Sequence, residues 1–388
     1  GASVAAMPAV PPIGDRRALR FARIAMTSVF GDPRDRRSWS GAPANLADAL
    51  ERMGISVEGI HPRLGLLGKL GVAAGDVLSG LGRPIDGEHL LRSARSRRRL
   101  AAQVARETER RGIEHVLHTG GMDLPALDLA RGVKHYLYCD HSWALAMPNR
   151  IDLDRFKPRV LAAFEKSEQD SLVGLAHVFT FGAYVRDNLI RHYGLPADRV
   201  TAVGSGMGAI EPHDGRKDFS KPSLLFVAKH LFRAKGGFLL LEAFRLALKR
   251  RPDLMLTIVG DRRSKAFVPD HPAITFHGHL PWAELQRLFR DATLLVQPML
   301  NDPWGQVYLE ALVSRTPVLG LNRNGLPEIV DGGRYGFLVK HADPEALSHA
   351  ILDALADPAR LERMAIAGQR HVLGNYSWDR VAERIGFC

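Results

Sequence analysis

Two stretches of this chain carry residue types whose spacing suits phosphate and sugar chemistry. In KHLFRAKGG (229–237), the cations Lys229, Arg233 and Lys235 precede a glycine pair and a helix beginning near Phe238. Cations beside a helix start offer a diphosphate both charge and unpaired backbone N–H groups, although surface lysines are more commonly just solvated. In QPMLNDPWGQVYLEALVSRTPVLGLNRNGLPEIVDGG (297–333), a strand feeds a loop holding Asp302 and Gly305, and the helix after it carries Glu310. Glu310 follows Asp302 by eight positions, which places Asp302 at the helix mouth and Glu310 about two turns further in. Carboxylates in that arrangement accept hydrogen bonds from sugar hydroxyls, and Gly305 allows backbone to approach a ligand. The same residues also read as a capped helix, with Asp302 as the cap and Glu310 on the surface.

Loops of this kind need a rigid scaffold, and the hydrophobic pattern supplies one. Short apolar runs alternate with amphipathic segments from Arg23 almost to the end, the pattern of an α/β protein with parallel sheets between helices. The expected strands are 23–30, 56–60, 115–120, 135–140, 177–182 and 199–204, then 223–228, 254–260, 274–278, 293–298, 317–321 and 336–339. Between the two sets, GAIEPHDGRKDFSKP (208–222) is rich in Gly, Pro and charge and reads as a linker. The expected organisation is a tail (1–20), a first domain (21–207), the linker, a second domain (223–370) and a terminal helix (371–388). Two doubly wound domains bind ligands at the carboxyl ends of their strands, so the loops after strands are where chemistry belongs.

With these features in place, the chain resembles the retaining glycosyltransferases of family 4, within glycosyl transferases group 1. Their signature is two glutamates separated by seven residues, then a small-residue turn, "PV" and "G-x-PE". Here Glu310 matches the second glutamate, Pro317 and Val318 the "PV", and Gly325, Pro327 and Glu328 the turn. Lys229 and Lys235 match the family's basic pair, with lysine where arginine is usual at the first position. The resemblance implies a GT-B fold of two Rossmann-like domains and transfer of a sugar from a nucleotide-diphosphate donor of UDP or GDP type. It implies retention at the anomeric carbon, with no metal and no resident cofactor. Lys229 and Lys235 would hold the diphosphate and Glu310 the ribose. The donor sugar would fall to Asp302, Trp304, Gly305 and Gln306, and Asp302 departs from the usual glutamate. SWSGAPANLADALERMG (38–54) is similar to the family's glycine loop and places Ser40 and Gly41 on the phosphates. The histidine ending a strand in YLYCDHSWA (136–144) matches His141, which with Asp302 and Lys235 forms the implied catalytic set. His118 is a neighbour candidate. The terminal helix would cross back to the first domain on Trp378 and Val381.

Length and composition agree with this reading. A chain of 388 residues favours two domains, and 46% hydrophobic with 24% charged residues is ordinary for a globular protein. The formal charge of +11 favours an anionic partner. Eight arginines between Arg92 and Arg111 gather in one expected helix, which reads either as a solvated helix face or as a site for an anionic membrane surface or acceptor, and less readily as a nucleic-acid site, since no aromatics interleave. Two distant cysteines, Cys139 and Cys388, suit a reducing cytoplasm, with peripheral attachment to the membrane's inner face as an extension. Asp152-Leu153-Asp154 mimics a metal-binding DxD but opens a helix, and the sixteen histidines show no zinc spacing. A glycan, lipid-linked or small-molecule acceptor is expected. Rival readings are a sugar-nucleotide epimerase, a phosphorylase and a catalytically silent sugar-nucleotide binder at a membrane.

Overall fold

A computed structural model of the chain describes residues 18–120, 132–149, 153–208 and 210–387. Among these, Met207–Ser377 form one compact unit, while residues up to Gly206 join Trp378–Phe387 in another. The first unit holds the strands β1 (Arg23–Ser28), β2 (Ser56–Ile60), β3 (His115–Thr119), β4 (Lys134–Cys139), β5 (His177–Thr180) and β6 (Val200–Ala202). They form one parallel sheet in the order β2-β1-β3-β4-β5-β6. The second unit holds β7 (Ser223–Ala228), β8 (Met255–Gly260), β9 (Ile274–His277), β10 (Leu294–Val296), β11 (Val318–Leu321) and β12 (Phe337–Val339). Its sheet, also parallel, runs β12-β11-β10-β7-β8-β9. Helices cover both faces of a parallel sheet, so its strands become uniformly apolar. β5 and β10 accordingly have every residue buried.

In the first unit, β1 leads to α1 (Ala42–Arg52), and β2 leads through α2 (Leu66–Leu78), α3 (Gly87–Arg92) and α4 (Ala94–Arg111) to β3. The expected single arginine helix is therefore two helices. Ser93 takes extended dihedrals, ends α3, and accepts the Arg95 N–H to cap α4. The arginines also divide. Arg92 and Arg97 are buried, and the Arg92 guanidinium lies 4.7 Å from the Trp143 ring centroid. These two belong to the core, and the basic surface is correspondingly smaller than a uniform helix would give.

The second unit packs Leu240 and Phe244 of the helix Gly237–Arg250, with Leu347 and Ile351 of the helix Pro344–Leu355, against Phe226, Leu256, Ile258 and Leu319 of the sheet. The 208–222 segment is anchored to this unit. Gln369 Nε2 donates to His213 O at 2.7 Å, and Arg315 Nη1 to Gly215 O at 3.0 Å.

The terminal segment divides later than position 371. The helix Pro358–Asn375 stays with the second unit, and only the helix Trp378–Phe387 packs on α1 in the first. Trp378 and Val381 are buried there, and Arg384 Nη1 donates to Val203 O at 2.8 Å. Arg20 N donates to Gly386 O at 2.8 Å, so the chain is already part of the fold before β1. Residues 1–17 of the expected tail lie outside the described residues. Among those described, no helix is long and apolar enough to cross a membrane.

Candidate functional site

The strand order of the second unit creates the candidate site. The chain lays β8 and β9 to one side of β7, then returns to place β10 on the other. Connections leaving β7 and β10 part to opposite faces, and the crevice beyond the carboxyl ends of such a pair is where doubly wound sheets bind ligands. The loop after β7 carries Lys229, Arg233 and Lys235, and the loop after β10 carries Asp302, Trp304 and Gly305. Two stretches about seventy residues apart are thus brought to one end of one sheet.

Their side chains meet there. Lys235 Nζ donates to Asp302 Oδ2 in an ion pair whose side chains are only 24% and 19% exposed. Asp302 Oδ1 also accepts the Trp304 N–H at 3.1 Å, and Asn324 Nδ2 holds the Asp302 carbonyl at 2.9 Å. Burial pushes the Glu310 carboxyl above its usual range, while the charges of Lys229 and Lys235 pull it back. Lys229 and Arg233 are exposed, the first 5.9 Å from the Trp282 ring centroid and the second 5.0 Å from that of Phe238. The site therefore has three cations and two carboxylates, with Lys235 at the join between the loops.

Glycine is required where the loops close up. Gly236 has φ +88° and precedes the helix Gly237–Arg250, and a Cβ there would stand 2.0 Å from Pro298 O. Gly305 is the N-cap of the helix Gln306–Val313 at φ +85° and, lacking a side chain, makes no capping hydrogen bond of its own. Trp304 is buried, its ring centroid 5.9 Å from that of Tyr376, and Gln306 is half-buried.

Gln297 is a participant that residue spacing did not reveal. Its buried side chain accepts the Val227 N–H at 3.0 Å and donates to Val227 O at 2.9 Å, prolonging the β7–β10 contact beyond the last backbone pair. It thereby joins the roots of both loops. The available signal was a single amide at the end of an otherwise apolar strand.

The first unit carries the remaining candidates. Gly41 (φ +80°) caps α1 after Trp39 (+43°) and Ser40 (+55°), three consecutive left-handed residues on the loop leaving β1. Non-glycine residues rarely adopt that region, and each such position costs on the order of 1–3 kcal/mol. The order β2-β1-β3 also makes the end of β1 the switch point of its own sheet. His141 lies just past β4, buried, 6.4 Å from the Tyr184 ring centroid. Its turn is held by Glu168, which accepts the Trp143 N–H at 3.0 Å and the Tyr193 O–H. Burial raises the Glu168 carboxyl, so this is a costly group retained to fix the turn.

His118 is placed in the core. Its Nδ1 lies 2.8 Å from Thr27 Oγ1 and its Nε2 2.8 Å from His135 Nδ1, and burial holds His118 well below its usual pKa and His135 at about 4. Both rings are neutral links between strands. Asp152 lies outside the described residues, and Asp154 sits in the single turn Leu153–Arg155. Among the described residues, no group of three His, Cys, Asp or Glu is gathered to hold a metal ion.

Residues 211–371 match the family model described as glycosyl transferases group 1. The similarity to the group 1 family lies in that segment. The D-inositol 3-phosphate glycosyltransferase of Streptomyces avermitilis is 30% identical over 221 residues, covering 50% of this chain and 47% of that one. The chain spans about half the length of the curated relatives it matches. A sucrose-phosphate synthase from Thermosynechococcus elongatus superposes with TM-score 0.70 at 20% identity, covering 94% of this chain and 97% of that one. The Anabaena protein HepE, solved with UDP and glucose, gives TM-score 0.60 at 16% identity, covering 94% and 98%. These likenesses show the two-unit α/β GT-B fold. Within the group 1 segment, Val318 opens β11, and a Cβ on Gly325 would stand 2.6 Å from the Trp304 ring, so the "G-x-PE" turn closes over that indole.

Proposed function

We propose that the chain transfers a glycosyl unit from a nucleoside-diphosphate sugar to an acceptor hydroxyl, retaining the anomeric configuration and using no metal ion. The observation that carries this reading is the gathering of Lys229, Lys235, Asp302 and Glu310 at the β7–β10 switch point of the group 1 segment. The lysines neutralise the diphosphate as the sugar leaves, an electrostatic role that needs no reorganisation at the moment of reaction. Glu310 accepts from the ribose and Asp302 from the donor sugar, with Gly305 and Gln306 beside it. The anomeric C–O bond to phosphate breaks, a bond to the acceptor oxygen forms on the same face, and the acceptor proton passes to the departing phosphate. Lys235 must divide its charge between Asp302 and the phosphate, so donor binding and the Asp302 position are coupled.

The Gly41 loop as a phosphate contact and His141 as an orienting group for the sugar complete the proposal. HepE was solved with UDP and glucose, which supports a UDP-type donor with GDP as the other choice. The acceptor is a glycan, a lipid-linked glycan or a small molecule, and nucleic acid has no part. The buried free thiol of Cys139 suits a cytoplasmic setting. The test is incubation with labelled UDP- and GDP-sugars and an acceptor panel, reading nucleoside diphosphate release and the anomeric configuration of the product by NMR. Acceptor-dependent release with retained configuration supports the reading. Inversion, or binding of donor without turnover by any acceptor, overturns it.

A further inference from the structure

α2 is a helix turned inside out. Its inward face is made of glycines, one carboxylate and a single valine. A Cβ on Gly71 would stand 2.7 Å from Arg99 Nη2, a Cβ on Gly75 would stand 2.3 Å from Arg95 Nε, and Arg99 Nη1 donates to Gly68 O at 2.9 Å. Asp76 is buried, accepts the Ser93 O–H at 3.0 Å and faces Arg95 at 3.6 Å, while Val72 is the one large aliphatic residue turned inward. The outward face holds Leu66, Leu67, Leu70, Val77 and Leu78, between 51% and 88% exposed. Their spacing of three, four and seven positions keeps them on one side of the helix. Single exposed hydrophobics are commonplace, but a row of five along one helix is a continuous apolar patch and marks an interaction surface.

The charge beside that patch identifies what covers it. Arg63 and Lys69 are exposed next to the leucines, and Arg95, Arg98, Arg99 and Arg106 are exposed along α4, which packs against α2. The acidic groups of α4, Glu107 and Glu109, lie toward its far end, and Glu107 is already paired with Arg110 and Arg111. A second copy docked on the same patch by two-fold symmetry would set these cations against their equivalents. An anionic bilayer satisfies both features, taking leucines into the headgroup boundary and phosphates onto the arginines.

We infer that α2 is an interfacial helix that docks the first unit on an anionic lipid surface, with the exposed arginines of α4 supplying the electrostatic part. The glycine face explains how a leucine helix lies flat, because it brings the α4 arginines to the helix backbone without intervening side chains. Binding should then have two separable components. The arginine part weakens as salt screens charge beyond about 8 Å, and the leucine part does not.

The experiment is flotation of the full chain with vesicles of phosphatidylcholine alone or with about a quarter phosphatidylglycerol, across a salt series. The expected result is binding to the anionic vesicles at least roughly 10-fold stronger than to neutral ones, with a residue of binding that survives high salt. Leu67→Glu/Leu78→Glu should lower binding to anionic vesicles by at least roughly 10-fold, and Arg98→Gln/Arg106→Gln should flatten the salt dependence. Both pairs are solvent-exposed, so an unchanged circular-dichroism melt verifies folding, and Leu67→Ser/Leu78→Ser serves if the acidic pair alters it. Absence of binding to anionic vesicles at low salt overturns the inference, as does undiminished binding by the leucine variants. A concentration-dependent dimer in sedimentation velocity, abolished by the leucine substitutions, also overturns it and reassigns the patch to a second copy. Donor turnover with a soluble acceptor, measured on the same variants, separates this outcome from failure of the transferase proposal.

Discussion

Replacing Asp302 by Asn removes one negative charge from the crevice and leaves an oxygen able to accept the Trp304 N–H, so the loop keeps its local turn. Three quantities should then move differently. A carboxylate hydrogen-bonded to a sugar hydroxyl in a partly buried site contributes about 1.5–3 kcal/mol, so kcat/KM should fall roughly 10- to 100-fold. The Lys235–Asp302 pair is partly open to solvent and contributes no more than about 1 kcal/mol to stability, a loss of about 2–4 °C in Tm for a unit of this size. The third quantity has the opposite sign. Lys235 no longer shares its charge with Asp302, so bare nucleoside diphosphate should bind as tightly as before or up to about tenfold more tightly, a gain of about 1.4 kcal/mol. Steady-state kinetics, a thermal melt and isothermal titration with nucleoside diphosphate read the three separately. If nucleotide affinity falls in step with turnover, or if turnover is untouched, Asp302 serves only to hold the loop and its role toward the sugar is wrong.

Other expectations are more direct. Turnover should persist after exhaustive treatment with EDTA, because charge neutralisation is assigned to Lys229 and Lys235; loss that magnesium or manganese restores would transfer that role to a cation. Gly236→Ala should destabilise the second unit by at least about 2 kcal/mol, since its φ of +88° and the 2.0 Å approach to Pro298 O both exclude a Cβ. An unchanged urea midpoint would show that the loop relaxes freely. Stability should also decline as pH falls from about 6.5 to about 4, because in that window unfolded His135 takes a proton that the folded ring refuses. Its fall from 6.5 to about 4 corresponds to on the order of 3 kcal/mol, and His118 adds in the same direction. Urea unfolding between pH 7.5 and 4.5 tests this, and an equally steep decline in His135→Gln would refute it.

All twelve strands among the described residues were legible, because strands buried on both faces appear as short apolar runs between turn residues. Their ends were less so. The run 177–182 stops pairing at Thr180, although Phe181 continues the apolar pattern and is itself buried. The break at Ser93 was hidden inside an arginine run, where Ser93 caps α4 and donates its hydroxyl to the buried Asp76 of α2. Lys235, Asp302 and Glu310 stood out by type and spacing. That Lys235 would pair with Asp302 did not, since their loops meet only because β10 is inserted beside β7. Gln297 and Glu168 went unnoticed for a related reason. Their importance lies in backbone groups they satisfy, Val227 in one case and Trp143 in the other, and such partners leave no mark on the residue itself.

The helix Trp378–Phe387 completes a unit whose other described residues end at Gly206. During synthesis, everything from Met207 to Ser377 must emerge before that helix exists, a delay of roughly 10–35 s at ordinary elongation rates. Throughout this interval the face of α1 against which the helix packs is bare, and Val203 O lacks the Arg384 guanidinium. The unit made second is therefore free to fold first, and the unit made first waits for that helix to emerge. Truncation before Trp378 should consequently damage the half of the protein most distant from it in sequence.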